Sequence, residues 1–267
     1  LLTALPFVSE GQSHTGASRS EIGVMIGGSY YIGDLNPFFH YRNTNLAGGI
    51  LFRYNLNPRV ALRANLTYGK IEGYDSDNKT QDALIERNLN FSSTIYEGAM
   101  GFELNYFPFQ IGHSRYNGTA YLMAELGVFK MNPKTEYNGE EYELQPLGTE
   151  GQGTSFSSKK NYNLLQLSIP LGVGVKLSLG DRASINFEFG LRKTFTDYLD
   201  DVGSNSYADY DIIAAENGPL AAELSNRSLS QSRFGMRGNR STKDWYVFSG
   251  AMFTFRLGNP KVCVQPR

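Results

Sequence analysis

The stretch "LQLSIPLGVGVKLSL", residues 165–179, puts Leu165, Leu167, Ile169, Leu171, Val173, Val175, Leu177 and Leu179 at every second position. Between them stand Gln166, Ser168, Pro170, Gly172, Gly174, Lys176 and Ser178. A sustained period of two marks a β-strand, whose successive side chains point to opposite faces. One face here is unbroken aliphatic; the other is small or polar. Neither suits a soluble sheet, because the first is too apolar for water and the second too polar for a dry core. A strand with its bulk against lipid and its small, polar side against a lumen satisfies both.

The pattern recurs along the chain. Residues 23–32 set Val24, Ile26, Tyr30 and Ile32 against Gly23, Met25, Gly27, Ser29 and Tyr31. Similar alternation runs through residues 46–56, 60–70, 94–106, 119–129, 183–195 and 245–257. The connections are unequal: long at 34–45, 75–93, 132–163 and 196–244, shorter at 57–59, 107–118 and 180–182. An even strand number with long loops at one end and tight turns at the other predicts an all-β fold, an eight-stranded antiparallel transmembrane β-barrel with long extracellular loops and short periplasmic turns. It also predicts an outer-membrane location in a Gram-negative bacterium, with both termini periplasmic. A lipocalin-like soluble barrel alternates too, but with the polar face outward.

Composition agrees. The 267 residues include 17 Tyr, 17 Phe and 29 Gly, a balance that favours strands over helices. No apolar run approaches the ~18 residues of a spanning helix. A formal net charge of -1 gives no basic excess for nucleic acid and no acidic tail. Residues 1–20 read as a leader, either the remnant of an export signal or a disordered segment. The barrel is expected over 21–258, and a periplasmic tail over 259–267.

An eight-stranded barrel is just wide enough inside for side chains. Its lumen-facing set holds Glu21, Glu97, Glu103, Glu125 and Glu188, with Arg53, Arg63, Lys176, Arg192 and Arg256. Equal numbers of acids and bases permit full pairing, so a closed ionic plug is expected rather than a charged pore. Tyr30, Tyr54, Tyr68, Tyr96, Tyr106 and Trp245 fall near strand ends on the apolar face and suit interfacial girdles. Pro170 removes a ladder donor in mid-strand, which predicts a local bulge.

Motifs that carry chemistry are weak. His40, in "NPFFHYRN", suits a lipid-modifying barrel enzyme, but no Ser-His-Asp arrangement accompanies it. "DSDNKTQDALIE", 75–86, has the end residues of a calcium loop, yet Lys79 and Thr80 occupy positions that need a ligand and a glycine. The acids of "DYLDDVGSNSYADYD", 197–211, read as a solvated loop. No catalytic residue, cofactor or metal site is expected, nor a small-molecule substrate.

"IGGSYYIGDLNP" (26–37), "SIPLGVGVKLSLG" (168–180) and "FTFRLGNPK" (253–261) together resemble the PorG-type outer-membrane proteins of Bacteroidota. The resemblance covers residues 21–258. It implies a non-enzymatic component of the type IX protein secretion system that anchors a periplasmic ring, built from a lipoprotein and its partner, to the outer membrane. The alternative is an OmpW-like barrel passing small apolar molecules, for which the ionic lumen is unsuited. Cys263 is the sole cysteine, in "GNPKVCVQPR"; an odd cysteine in an oxidising compartment points to a free thiol or an intermolecular bridge. If the resemblance holds, the ring lipoprotein is its expected disulfide partner.

Overall fold

The computed structural model describes residues 19–258 except 38, 80, 156, 158–159 and 231–234. Eight long strands form the barrel: β1 (Ser20–Ile32), β2 (Asn45–Asn55), β3 (Val60–Tyr74), β4 (Asn90–Asn105), β5 (Gly118–Lys130), β8 (Leu165–Leu179), β9 (Ala183–Thr194) and β10 (Trp245–Arg256). All neighbours pair antiparallel, and the β1–β10 and β3–β4 ladders close the ring. Closure leaves no free barrel edge, so strand main-chain groups pair within the wall except at one gap between β5 and β8. Among the described residues no helix is long and apolar enough to cross a membrane; the crossing elements are strands.

Parity decides what each face meets. Outward Ile22, Val24, Ile26, Leu66, Met100, Leu126, Val173 and Phe255 are exposed, and they make an apolar belt around the wall. Inward positions are buried, and where walls crowd they must be small. Gly27 stands opposite Gly250 across the closing ladder. A Cβ on Gly27 would lie 2.1 Å from the Ser249 carbonyl oxygen, so no side chain fits there.

Two local features differ from the alternation's expectation. The β5–β8 ladder is interrupted where Glu125 and Leu126 face Pro170 and Ile169 in turn, then resumes in unchanged register from Gly127 opposite Ser168. Proline's missing N–H therefore opens a gap in the ladder without inserting a residue, and no bulge forms. Beyond the rim, β6 (Pro133–Tyr137) continues to pair with β4, and it turns back on β7 (Glu140–Glu143). Asn138 and Gly139 at that turn have φ of 53° and 81°, the left-handed pair a two-residue hairpin requires.

Where described, the long loops, loop 1 (33–44), loop 2 (75–89), loop 3 (131–164) and loop 4 (195–244), fold over the barrel's end as a cap. Loop 2 carries α1 (Asp82–Arg87); loop 4 carries α2 (Tyr210–Glu216), capped by the Asp209 side chain, and α3 (Pro219–Ser225). An apolar core runs from Met25, Leu51 and Met252 inside the barrel through Ile95, Phe129, Tyr246 and Phe248 to Leu199, Val202 and Leu224 in loop 4. Barrel and cap thus share one core.

Candidate functional site

The lumen is built from inward positions of neighbouring strands. Glu21 and Arg53 face each other across β1 and β2, and Arg53 Nη1 donates to Glu21 Oε2 at 2.6 Å. The same guanidinium reaches Glu103 Oε2 on β4 through Nε at 3.0 Å. Lys176 on β8 crosses the lumen to the other oxygen of Glu103. Higher up, Arg63 makes a fork to Glu188, at 2.6 and 3.2 Å, and its Nε lies 3.0 Å from Glu125 Oε1. Asn65 Nδ2 donates to that oxygen at 2.6 Å, whereas Glu125 Oε2 has no hydrogen-bond partner. Arg192 pairs with Glu97 at 3.3 Å, and Tyr246 Oη donates to Glu97 at 2.5 Å.

The nine side chains bring five carboxylates to four cations, all buried. Arg256 is the tenth residue expected there, and it stands apart. Its guanidinium sits at the turn end and donates to the main-chain oxygens of Ile111 and Asp181, at 2.9 and 2.8 Å. The physical reason is its place at the last rung of β10, where turn carbonyls are nearer than any lumen carboxylate. Below the ions, the turn 107–117 folds back under the barrel: Phe109 and Ile111 are buried, and Lys176 Nζ lies 4.8 Å from the Phe109 ring centre.

The aromatics divide. Tyr54 and Tyr106 are exposed toward the turn end, and Tyr68 and Tyr96 are exposed with ring centres 5.2 Å apart. Trp245 is half-buried at the loop end, with Lys193 Nζ 5.9 Å from its ring centre. Tyr30 differs from the girdle expectation. It points outward but is fully buried, because loop 1 lies down over the wall and covers it. His40 Nδ1 is 3.1 Å from the Tyr30 hydroxyl, and Tyr41 packs 5.1 Å from its ring and 6.5 Å from Phe189. His40 is thus tied to a tyrosine rather than to a nucleophile. Asn36 pins the loop by donating to the oxygens of Tyr31 and Phe39, at 2.8 and 2.9 Å.

The cap corrects part of another expectation. Of the acids of 197–211, Asp197, Asp200 and Asp201 are buried rather than solvated, whereas Asp209 and Asp211 are exposed. Arg237 threads among them and donates to Glu150 Oε1 at 2.7 Å and to the Asp201 carbonyl at 2.8 Å. Glu150 also accepts the N–H groups of Gly203 and Ser204, each at 2.9 Å. Burial opposes its charge, but Arg237 and the Ser204 hydroxyl hold its carboxyl below the usual range. Burial pushes the Asp201 carboxyl up to about 6, against the pull of Arg237. Asp75, the first residue of the calcium-like stretch, is consumed by Arg87 at 2.6 and 2.7 Å. Among the described residues no three His, Cys, Asp or Glu side chains converge as metal ligands. Cys263 lies outside the described residues.

The chemistry on display is cohesion: ions locked in pairs, a plugged turn end and a knitted cap. Alternation does not reveal the inner apolar layer or the cap, although "WYVF" (245–248) signals strand tops covered on both faces, and "YNGE" (137–140) signals the loop-3 hairpin. The barrel is of outer-membrane type, and the solved structures similar to it include three bacterial surface barrels. Neisserial surface protein A (NspA) is 9% identical with a TM-score of 0.44, covering 91% of this chain and 100% of that one. Ail, the attachment invasion locus protein of Yersinia pestis, is 9% identical with a TM-score of 0.40, covering 90% and 100%. The N-terminal β-barrel domain of Pseudomonas aeruginosa OprF is 11% identical with a TM-score of 0.36, covering 90% and 100%. No curated protein matches the sequence. One family pattern spans the strands, turns and cap together, from residue 2 to residue 265, and by it the chain belongs to the family described as Domain of unknown function (DUF6089).

Proposed function

We propose that this chain is a non-enzymatic outer-membrane component of the type IX protein secretion system, holding the periplasmic ring lipoprotein and its partner against the membrane. The observation that carries the scaffold reading is the obstructed lumen. Phe109 and Ile111 fill the turn end, paired ions fill the middle, and an apolar core continuous with the cap fills the loop end. A protein so filled offers its surroundings surfaces rather than a passage. The system itself is argued from the sequence resemblance in "IGGSYYIGDLNP" and "SIPLGVGVKLSLG". In this reading the turn end faces the periplasm with both termini, and the cap faces outward. An OmpW-like route for apolar molecules needs a dry lumen or a side opening. Buried charges oppose the first and eight paired strand neighbours the second.

Affinity purification of the full chain from its native envelope after mild crosslinking, read by mass spectrometry, tests the proposal. Co-recovery of the ring lipoprotein and its partner is expected. Recovery of the barrel without either, from an envelope in which the ring itself is intact, overturns it.

A further inference from the structure

Tyr31 stands on the inner face near the loop end of β1, fully buried beneath the cap. Its hydroxyl lies 2.6 Å from Asp200 Oδ2 and 3.0 Å from Asp244 Oδ1. Both carboxylates are buried, and they come from opposite ends of loop 4: Asp200 shortly after β9, Asp244 just before β10. The outer oxygens are occupied by main chain. Val202 N donates to Asp200 Oδ1 and Leu199 N to Asp244 Oδ2, each at 3.0 Å.

The arrangement is one proton short. A tyrosine hydroxyl has a single hydrogen, so it donates to one carboxylate. If both acids were ionised, the second contact would set two lone pairs against each other in a buried site. The surroundings give little relief: Arg87 and Arg237 attract Asp200, but neither pairs with it. Asp34 of loop 1 faces both acids, and Asp197 faces Asp244. The nearby cations are engaged elsewhere: Lys243 with Asp197, Arg87 with Asp75, and Arg237 with Glu150 and Asp201.

We propose that Asp200 and Asp244 share one proton across the Tyr31 hydroxyl, and that this protonated triad is a clasp that fastens both ends of loop 4 to the barrel rim. One carboxylic acid donates to the tyrosine oxygen, and the tyrosine donates to the other carboxylate. No net bond to carbon forms or breaks; the clasp takes up one proton on closing and releases one on opening. Burial, followed by the mutual repulsion of the acids, pushes Asp200 well above the usual carboxylate range; Asp244 is pushed up likewise, by burial and then by Asp197. For acids raised in this way the folded form binds protons more tightly than the unfolded one, so the clasp strengthens as pH falls and loosens as pH rises through the folded value.

The test is amide hydrogen exchange by mass spectrometry on the full chain in lipid vesicles, corrected for intrinsic rates, following peptides around 199–203 and 244–246. In the unaltered protein, protection of these peptides is expected to fall about tenfold or more between about pH 5.5 and about pH 8.5. Asp200→Asn supplies a permanent amide donor, so its protection should vary by no more than the roughly fourfold that the Asp201 carboxyl, raised to about 6, itself contributes over the same range. Asp244→Asn is the second variant should the first fail to fold. Flat protection in the unaltered protein overturns the proposal without any variant. So does a tenfold pH dependence that both variants retain. Restored protection on adding calcium chloride at the alkaline end, lost in Asp200→Asn, would assign the pair to a cation instead and also overturn it.

Discussion

Replacing Glu103 with Gln should be among the most damaging single changes in the lumen, and replacing Glu125 with Gln among the mildest. Glu103 is fully buried and accepts from Arg53 Nε at 3.0 Å, from Arg63 at 3.5 Å and from Lys176, with Arg53 Nη2 in ion-pair contact at 2.9 Å. Among the described residues it is the only carboxylate in ion-pair reach of Lys176. An amide in its place leaves a buried ammonium uncompensated, which costs about 3–5 kcal/mol. Glu125 is the surplus acid. Its Oε2 has no hydrogen-bond partner, and Arg63 keeps both oxygens of Glu188 when it is neutralised. Glu125→Gln should therefore cost less than about 1 kcal/mol or stabilise the barrel slightly. Urea unfolding in lipid vesicles, read from the fluorescence of the single tryptophan, Trp245, gives both values on one scale. Equal costs, or a larger loss for Glu125→Gln, would refute the charge count on which the argument rests.

Three further outcomes follow from the cap and the topology. Arg237→Met should leave Glu150 and Asp201 buried without their cation, at a cost of about 3–5 kcal/mol confined to the cap; protease should then cut loop 4 first, while the barrel keeps its heat-dependent shift on gels. Because the Asp201 carboxyl rises to about 6 on folding, its protonated form favours the folded cap, and cap stability should decline by up to about 3 kcal/mol as pH rises from about 4 to about 6; Asp201→Asn should remove that part of the slope in protease-resistance assays. Protease added to intact cells should cleave at the exposed β6–β7 hairpin near Glu140 and Glu141 and spare the turn at 57–59; cleavage at 57–59 would invert the orientation.

Period-two alternation was enough to find all eight wall strands, because lipid and lumen impose opposite chemistry on alternate residues at every rung. β8 runs from Leu165 to Leu179, as its pattern reads. β3 and β4 extend past their patterns to Tyr74 and Asn90, since above the belt both faces meet protein and the contrast disappears. The lumen acids were legible for the same reason, but their partners were not: which of two inward charges meet depends on register and reach, and Arg256 finds carbonyls instead. Tyr30 shows the limit on the other face. Its outward parity is plain, yet a loop that folds down the wall hides it. The cap was least legible. Nothing in "DYLDDVGSNSYADYD" distinguishes acids solvated on a loop from acids buried around Arg237, because that arginine is distant in sequence.

An obstructed lumen passes no ions, and ion conductance across a planar lipid bilayer measures that directly. The purified full chain, inserted from detergent, should leave the membrane current at the level of the bare bilayer at either polarity. Stable conductance steps that scale with the amount of protein inserted would contradict it.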